Sequence, residues 1–99
     1  MSIKVVADSH VRAEAVDEFL AAATELVAET NAKDEGCIAY DVWRDNTDPL
    51  HLTVLEEWES QAALDKHSAS EHFLRLVPVL QGAGEPERPL AVVVYESVS

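Results

Sequence analysis

The chain has little with which to hold a phosphate. Its 99 residues include seven lysines and arginines against 19 aspartates and glutamates, a formal net charge of −12. The basic residues, Lys4, Arg12, Lys33, Arg44, Lys66, Arg75 and Arg88, are scattered. No basic stripe exists to neutralise a nucleic-acid backbone, and the negative field opposes anionic membranes. A single cysteine, Cys37, excludes an intrachain disulfide and fits a reducing compartment, where a lone buried thiol serves as a small apolar filler. No segment approaches the ~20 apolar residues of a membrane helix. No apolar run follows Lys4 as it would in a secretory signal. The expectation is a cytoplasmic, soluble protein with neither nucleic-acid nor membrane partners. Also missing are a Gly-rich phosphate loop, a CxxC pair, a zinc-like Cys/His cluster and a GxSxG turn. A nucleotide cofactor held by a known loop and a structural metal are therefore not expected. A neutral small molecule, aromatic included, meets no electrostatic barrier.

What is present is enough for a core: 47% of the residues are hydrophobic, and the length suits one domain spanning residues 1–99. Ile3 to His10 reads as a first strand, with Ile3, Val5 and Ala7 on one face and Lys4, Val6 and Asp8 on the other. A helix follows from about Ala13 to Thr30, its apolar stripe being Val16, Phe19, Leu20, Ala23 and Val27. "NAKDEG" ends it, with Gly36 free to take a positive φ. Cys37–Arg44 and His51–Trp58 read as a strand hairpin around the turn formers "DNTDP". Ser60 caps a second helix with Ala62, Ala63 and Leu64; Ser70 caps a further one with Phe73, Leu74, Val77 and Leu80. "GAGEPERP" is a loop, and Leu90–Val98 a last strand.

The order β-α-β-β-α-β is the ferredoxin-like arrangement of the α+β class, an antiparallel sheet with helices on one face. In the last strand, Leu90, Val92 and Val94 alternate with Ala91, Val93 and Tyr95, and both sets are apolar. A half-solvated sheet shows polar residues outside. Helices cover one face only, so the other needs a partner, most simply a second copy related by a two-fold axis.

Four histidines remain to be placed. In an unbroken helix His67 and His72 diverge by about 140°, which argues against a two-histidine metal site of i, i+4 type. A break at Ser68–Ser70 would allow both to reach one cavity; the residues alone leave this open. His51, after Pro49, is assigned to the surface.

The segments "HVRAEAVDEFL", "EGCIAYDVWRD" and "EEWESQAALDKHSASEHF", in this order and spacing, resemble the antibiotic biosynthesis monooxygenase (ABM) domain. Its pattern has a V-x-E-F helix start, G-C/N-x-x-Y entering the second strand, then E-x-W and H-x-x-x-x-H-F. The resemblance spans nearly the whole chain. It implies a dimeric α+β barrel of ferredoxin-like subunits, with a pocket between sheet and helices in each. It also implies oxidation of a small quinol or polycyclic aromatic by O2, without metal or flavin. Relatives include a quinol monooxygenase, an enzyme acting on a phosphorylated signalling sugar, and haem-degrading proteins. The last rely on an Asn, a Trp and a His. Trp58 matches their Trp, while Ser9 and His10 stand where the Asn belongs. The sugar-phosphate chemistry wants cations, in which this chain is poor.

Cofactor-free oxygenation needs a base to ionise the substrate, donors for the resulting oxyanion, and an apolar, water-poor cavity. Histidine suits the base and Trp or Tyr the walls. His72, at the family's H-F position, is the first candidate for acid–base work, and His67 the second. Each has a structural alternative: a helix residue with a satisfied ring nitrogen for His72, a surface histidine for His67. Trp58, Tyr40, Phe73 and His10 are candidates for substrate contact. Their alternatives are core aromatics for the first three and a plain strand-end histidine for His10. A non-catalytic module that binds a small molecule, and a haem-binding relative, are the other functional classes.

Overall fold

The computed structural model describes residues 2–99. Four strands, β1 (Ile3–His10), β2 (Cys37–Asp45), β3 (Asp48–Trp58) and β4 (Ala91–Glu96), form one sheet in the order β2-β3-β1-β4, every pairing antiparallel. Helices α1 (Val16–Lys33), α2 (Gln61–Ser68) and α3 (Glu71–Gly82) cover one face. This is the ferredoxin-like arrangement expected.

Alternation sorts the strands. Val5, Ala7 and Ser9 of β1, together with Leu52, Val54, Glu56 and Trp58 of β3, lie on one face of the ladder by register. Phe19, Ala22, Ala23 and Leu26 of α1, with Leu76 and Leu80 of α3, complete the core. On α1 the buried stripe runs through Ala22, Leu26 and Thr30 as well as Phe19 and Ala23, while Val16, Leu20 and Val27 flank it.

Local chemistry explains the boundaries. Ser60 Oγ accepts from Ala63 N at 3.1 Å, and Ser70 Oγ from Phe73 N at 3.3 Å, so each serine starts its helix. Gly36 has φ +81°, and a Cβ there would sit 2.6 Å from that of Ala63. Three expectations need correction. The β2–β3 turn is only Asn46–Thr47, and Pro49 lies within β3. Proline is tolerated there because the ladder is irregular beyond Arg44, so no N–H is required of it. β4 ends at Glu96, because its partner β1 runs out at Ile3. Leu74 is 62% exposed; α3 buries His72, Leu76 and Leu80 instead. No helix among the described residues is long and apolar enough to cross a membrane.

The face opposite the helices is apolar in part and uncovered. Trp43, Leu55, Val93 and Tyr95 are each between 42% and 58% exposed.

Candidate functional site

Between the helices and the sheet lies a cavity of about 230 Å³. Its walls are mostly aliphatic: Val5, Ala7, Val54, Leu64, Val77 and Leu80, bordered on one side by Val92 and Val94 of β4, which are 56% and 48% exposed. Its polar lining includes Ser9, Tyr40, Glu56 and His67. No lysine or arginine borders it; Arg12, for example, donates to the carbonyls of Gly82 and Gly84. A neutral ligand fits such walls and a phosphate does not.

The break between α2 and α3 decides where the two histidines go. With the helix axis interrupted at Ala69–Ser70, both imidazoles turn to one carboxylate. His67 Nδ1 lies 2.6 Å, and His72 Nε2 2.9 Å, from the same oxygen, Asp34 Oδ2. Asp34 caps the C-terminus of α1, where its own N–H donates to Thr30 O. The turn that Gly36 permits leads from there into β2.

His67 is 2% exposed, and its Nε2 is buried without a hydrogen-bond partner among the described residues. Nδ1–H bonded to Asp34 leaves Nε2 as the unprotonated nitrogen. Burial pushes the His67 pKa below its ordinary value, against the opposing pull of Asp34, so the ring is neutral near pH 7. A neutral imidazole oriented by a carboxylate, with an unpartnered Nε2, can accept a proton.

Around it stand Tyr40, Trp58 and Phe73, with ring centroids 5.1, 4.7 and 5.2 Å from that of His67. Burial drives the Tyr40 phenol well above its ordinary pKa, so it is a neutral donor. Glu56 is 9% exposed and accepts from Trp58 Nε1 at 2.9 Å. Burial raises its carboxyl to about 7 despite that hydrogen bond, which favours the anion. Ser9 Oγ is buried and has no hydrogen-bond partner among the described residues.

Of the six residues singled out by sequence, Tyr40, His67 and Phe73 border the cavity. His72 does not; its Nε2 lies 2.9 Å from Asp34 Oδ2 and its ring centroid 6.0 Å from that of His67. Trp58 is fully buried behind His67 and Tyr40 rather than in the cavity wall. His10 belongs to the opposite face: it follows Asp8 in the alternation and stacks on His51, with centroids 4.5 Å apart. His51 lies on the same outer face, its side chain 26% exposed and its ring nitrogens 2.9 Å from Asp45 and 2.7 Å from Asp8. Cys37 is a half-buried free thiol whose pKa burial raises.

Three polar groups escape the sequence reading. Glu56 carries a signal, since in "HLTVLEEW" it alternates in phase with Leu52, Val54 and Trp58. Ser9 likewise shares the inward phase of Val5 and Ala7. Asp34 carries none, because 33 and 38 residues separate it from its histidines.

Comparison with known proteins gives the fold a family. The profile described as antibiotic biosynthesis monooxygenase matches residues 2–79. The chain belongs to that family. A solved structure of an antibiotic biosynthesis monooxygenase superposes with TM-score 0.88 at 39% identity, covering 98% of this chain and 99% of that one. YcnE of Bacillus subtilis, provisionally named a monooxygenase, is 33% identical over 86 residues, 87% of each chain. The uncharacterized Synechocystis protein sll1783 is 29% identical over 75 residues, 76% of this chain. The match spans only half the length of sll1783. These likenesses support a monooxygenase-like role for this ABM domain.

Proposed function

We propose that this ABM protein is a cofactor-independent monooxygenase that oxidises a small quinol or anthrone-like aromatic with O2 in the cavity between sheet and helices. The observation that carries the reading is His67, which lines the cavity, keeps Nε2 buried and unpartnered among the described residues, and has Nδ1 tied to Asp34. Family membership supports the reaction class.

The chemistry for a methylene next to an aromatic ketone is as follows. His67 Nε2 takes one C–H proton, and Asp34 stabilises the imidazolium that forms. The enolate keeps the electron pair, with its charge on oxygen, and Ser9 Oγ–H, the Tyr40 hydroxyl and protonated Glu56 are the available donors to it. The electron-rich anion passes one electron to O2. The resulting radical and superoxide combine to form a C–O bond, and the peroxide anion recovers the proton from His67. Loss of the second C–H proton with cleavage of the O–O bond releases water and leaves a carbonyl. One O2 is consumed, one oxygen atom enters the product and the other leaves as water. In this reading the mostly aliphatic lining disfavours water around the radical pair.

The protein acts as a homodimer in this reading, two sheets meeting through the face that carries Trp43, Leu55, Val93 and Tyr95. Their exposure in the single chain supports it. The domain comprises the whole of residues 1–99 and works in a reducing, cytoplasmic setting.

The test is O2 uptake by metal-stripped protein across a panel of hydroquinones and anthrones. Uptake above autoxidation, with oxygen from labelled O2 in the product, is expected. Uptake equal to autoxidation for every compound contradicts the proposal.

A further inference from the structure

The floor of the cavity has polar groups at its two ends and none between. Strand register arranges that floor in rungs. Val5 pairs with Glu56 of β3 and Val94 of β4, and Tyr40 of β2 pairs with Glu56 on its other side. Two residues along, Ala7 pairs with Val54 and Val92. Ser9 comes next, opposite Leu52. At about 3.3 Å per residue, the Ser9 backbone lies roughly 13 Å from the Val5 rung. His67 belongs to the Glu56 end, since its ring packs on those of Tyr40 and Trp58. The middle rung contributes only aliphatic side chains.

Ser9 is 2% exposed and borders the cavity, and its Oγ has no hydrogen-bond partner among the described residues. The β1–β4 pairing stops at Asp8 and Ala91, one residue short of Ser9, so β4 does not pair alongside it. A buried hydroxyl without a partner weakens a fold, and an alanine like Ala7 would give the strand an inward surface without that defect. His67 Nε2 is the matching unpartnered atom at the other end. Side chains reach inward from both ends, and a hydrogen bond at each takes up about 2.8 Å. A flat aromatic body with a polar group at either end fills the interval. The volume agrees. About 230 Å³ exceeds the ~150 Å³ of an apolar cavity that holds benzene and falls short of the ~300 Å³ at which pockets for drug-sized ligands begin.

We propose that Ser9 is a specificity-determining residue, its hydroxyl holding the oxygen at the far end of a ring whose proton-yielding group faces His67. Given the oxidation proposed above, on which this assignment rests, the ligand class is an aromatic with those two groups 1,4-related across one ring. A quinol with para oxygens meets the condition. So does an anthrone, whose methylene and carbonyl carbons lie opposite each other in the central ring. When His67 takes the methylene proton, the charge gathers on the far oxygen, and Ser9 Oγ–H donates to it. A 1,2-diol keeps both oxygens at one end and leaves a buried polar atom at the other unpaired. That penalty is what makes a hydrogen-bonding site selective. The Gln81 amide also borders the cavity near this end, where the chain after α3 bridges to Val11. It is exposed, so water can satisfy it.

The experiment is calorimetric titration of the full chain, under argon, with 1,4-dihydroxynaphthalene and with 1,2-dihydroxynaphthalene. Wild type should bind the 1,4-isomer about three- to tenfold more tightly. Ser9→Ala should weaken 1,4 binding by about the same factor and leave 1,2 binding within about twofold. Circular dichroism checks that the variant is folded, and the wild-type preference is decisive if it is not. Equal affinities for the two isomers in wild type overturn the proposal, as does no binding of either at millimolar concentration. So does a preference that survives in Ser9→Ala but is lost in Gln81→Ala. Argon removes turnover, which separates this result from the O2-uptake test. A 1,4 preference without O2 uptake refutes the oxidation and keeps the role of Ser9. Uptake with no isomer preference does the reverse.

Discussion

Replacing Glu56 by Gln tests the electrostatics of the cavity without disturbing its shape. The amide fills the same volume and its oxygen accepts the same Trp58 Nε1–H. In the folded protein burial holds the Glu56 carboxyl at about 7, against an ordinary value of 4.5. The unfolded chain releases that proton near 4.5, so between 4.5 and 7 the folded state holds a proton the unfolded state has lost. Stability from this group is complete below pH 4.5 and falls as pH rises through 7. At about 1.4 kcal/mol per pH unit, the wild type loses about 3 kcal/mol across that window. The glutamine variant has no such charge to bury. Urea denaturation of both proteins from pH 4 to pH 8.5 should show a small difference at the acid end. By pH 8 the variant should have gained about 3 kcal/mol relative to wild type. A difference that stays constant over the whole range would refute the claim that a buried, largely uncompensated carboxyl lines this cavity.

Other perturbations follow from the same geometry. The pH profile of O2 uptake should rise through a pKa below 6.5, as His67 becomes a free base. It should fall near 7 as Glu56 ionises, and a falling limb that persists in Glu56→Gln would contradict the second assignment. Gly36→Ala should lower stability by about 2 kcal/mol or more in chemical denaturation, since the new side chain combines a positive φ with a clash against Ala63. Trp43→Glu should convert the dimer to monomer by light scattering at micromolar concentration; a monomeric wild type would remove the dimer argument. His72→Ala should slow turnover far less than loss of the base itself, because His72 only steadies Asp34. Equal losses in His67→Ala and His72→Ala would mean the wrong imidazole has been assigned the proton transfer.

The framework of this molecule is largely local, which is why much of it can be read from the residues. Period-two alternation in "IKVVADSH" separates Val5, Ala7 and Ser9 from Asp8 and His10, and the same parity places His10 away from the cavity. The serines at 60 and 70 mark the helix starts because capping depends on a few neighbouring residues. The site itself depends on distant residues. Convergence of His67 and His72 on Asp34 requires the helix break, the Gly36 turn and the packing of α1 against α3 together, and no spacing rule encodes that. The H-F pattern puts His72 first, but a pattern of letters does not say which imidazole faces a void. Trp58 occupies an inward strand position, yet only the closure of α2 over it decides between cavity wall and buried support.

The most direct test is stoichiometric O2 consumption by metal-stripped wild type and His67→Ala, with an anthrone at saturating concentration. The account predicts saturable uptake of one O2 per product in the wild type, reduced by about 10²–10⁴-fold in the variant while substrate binding persists. Equal rates in the two proteins would contradict it.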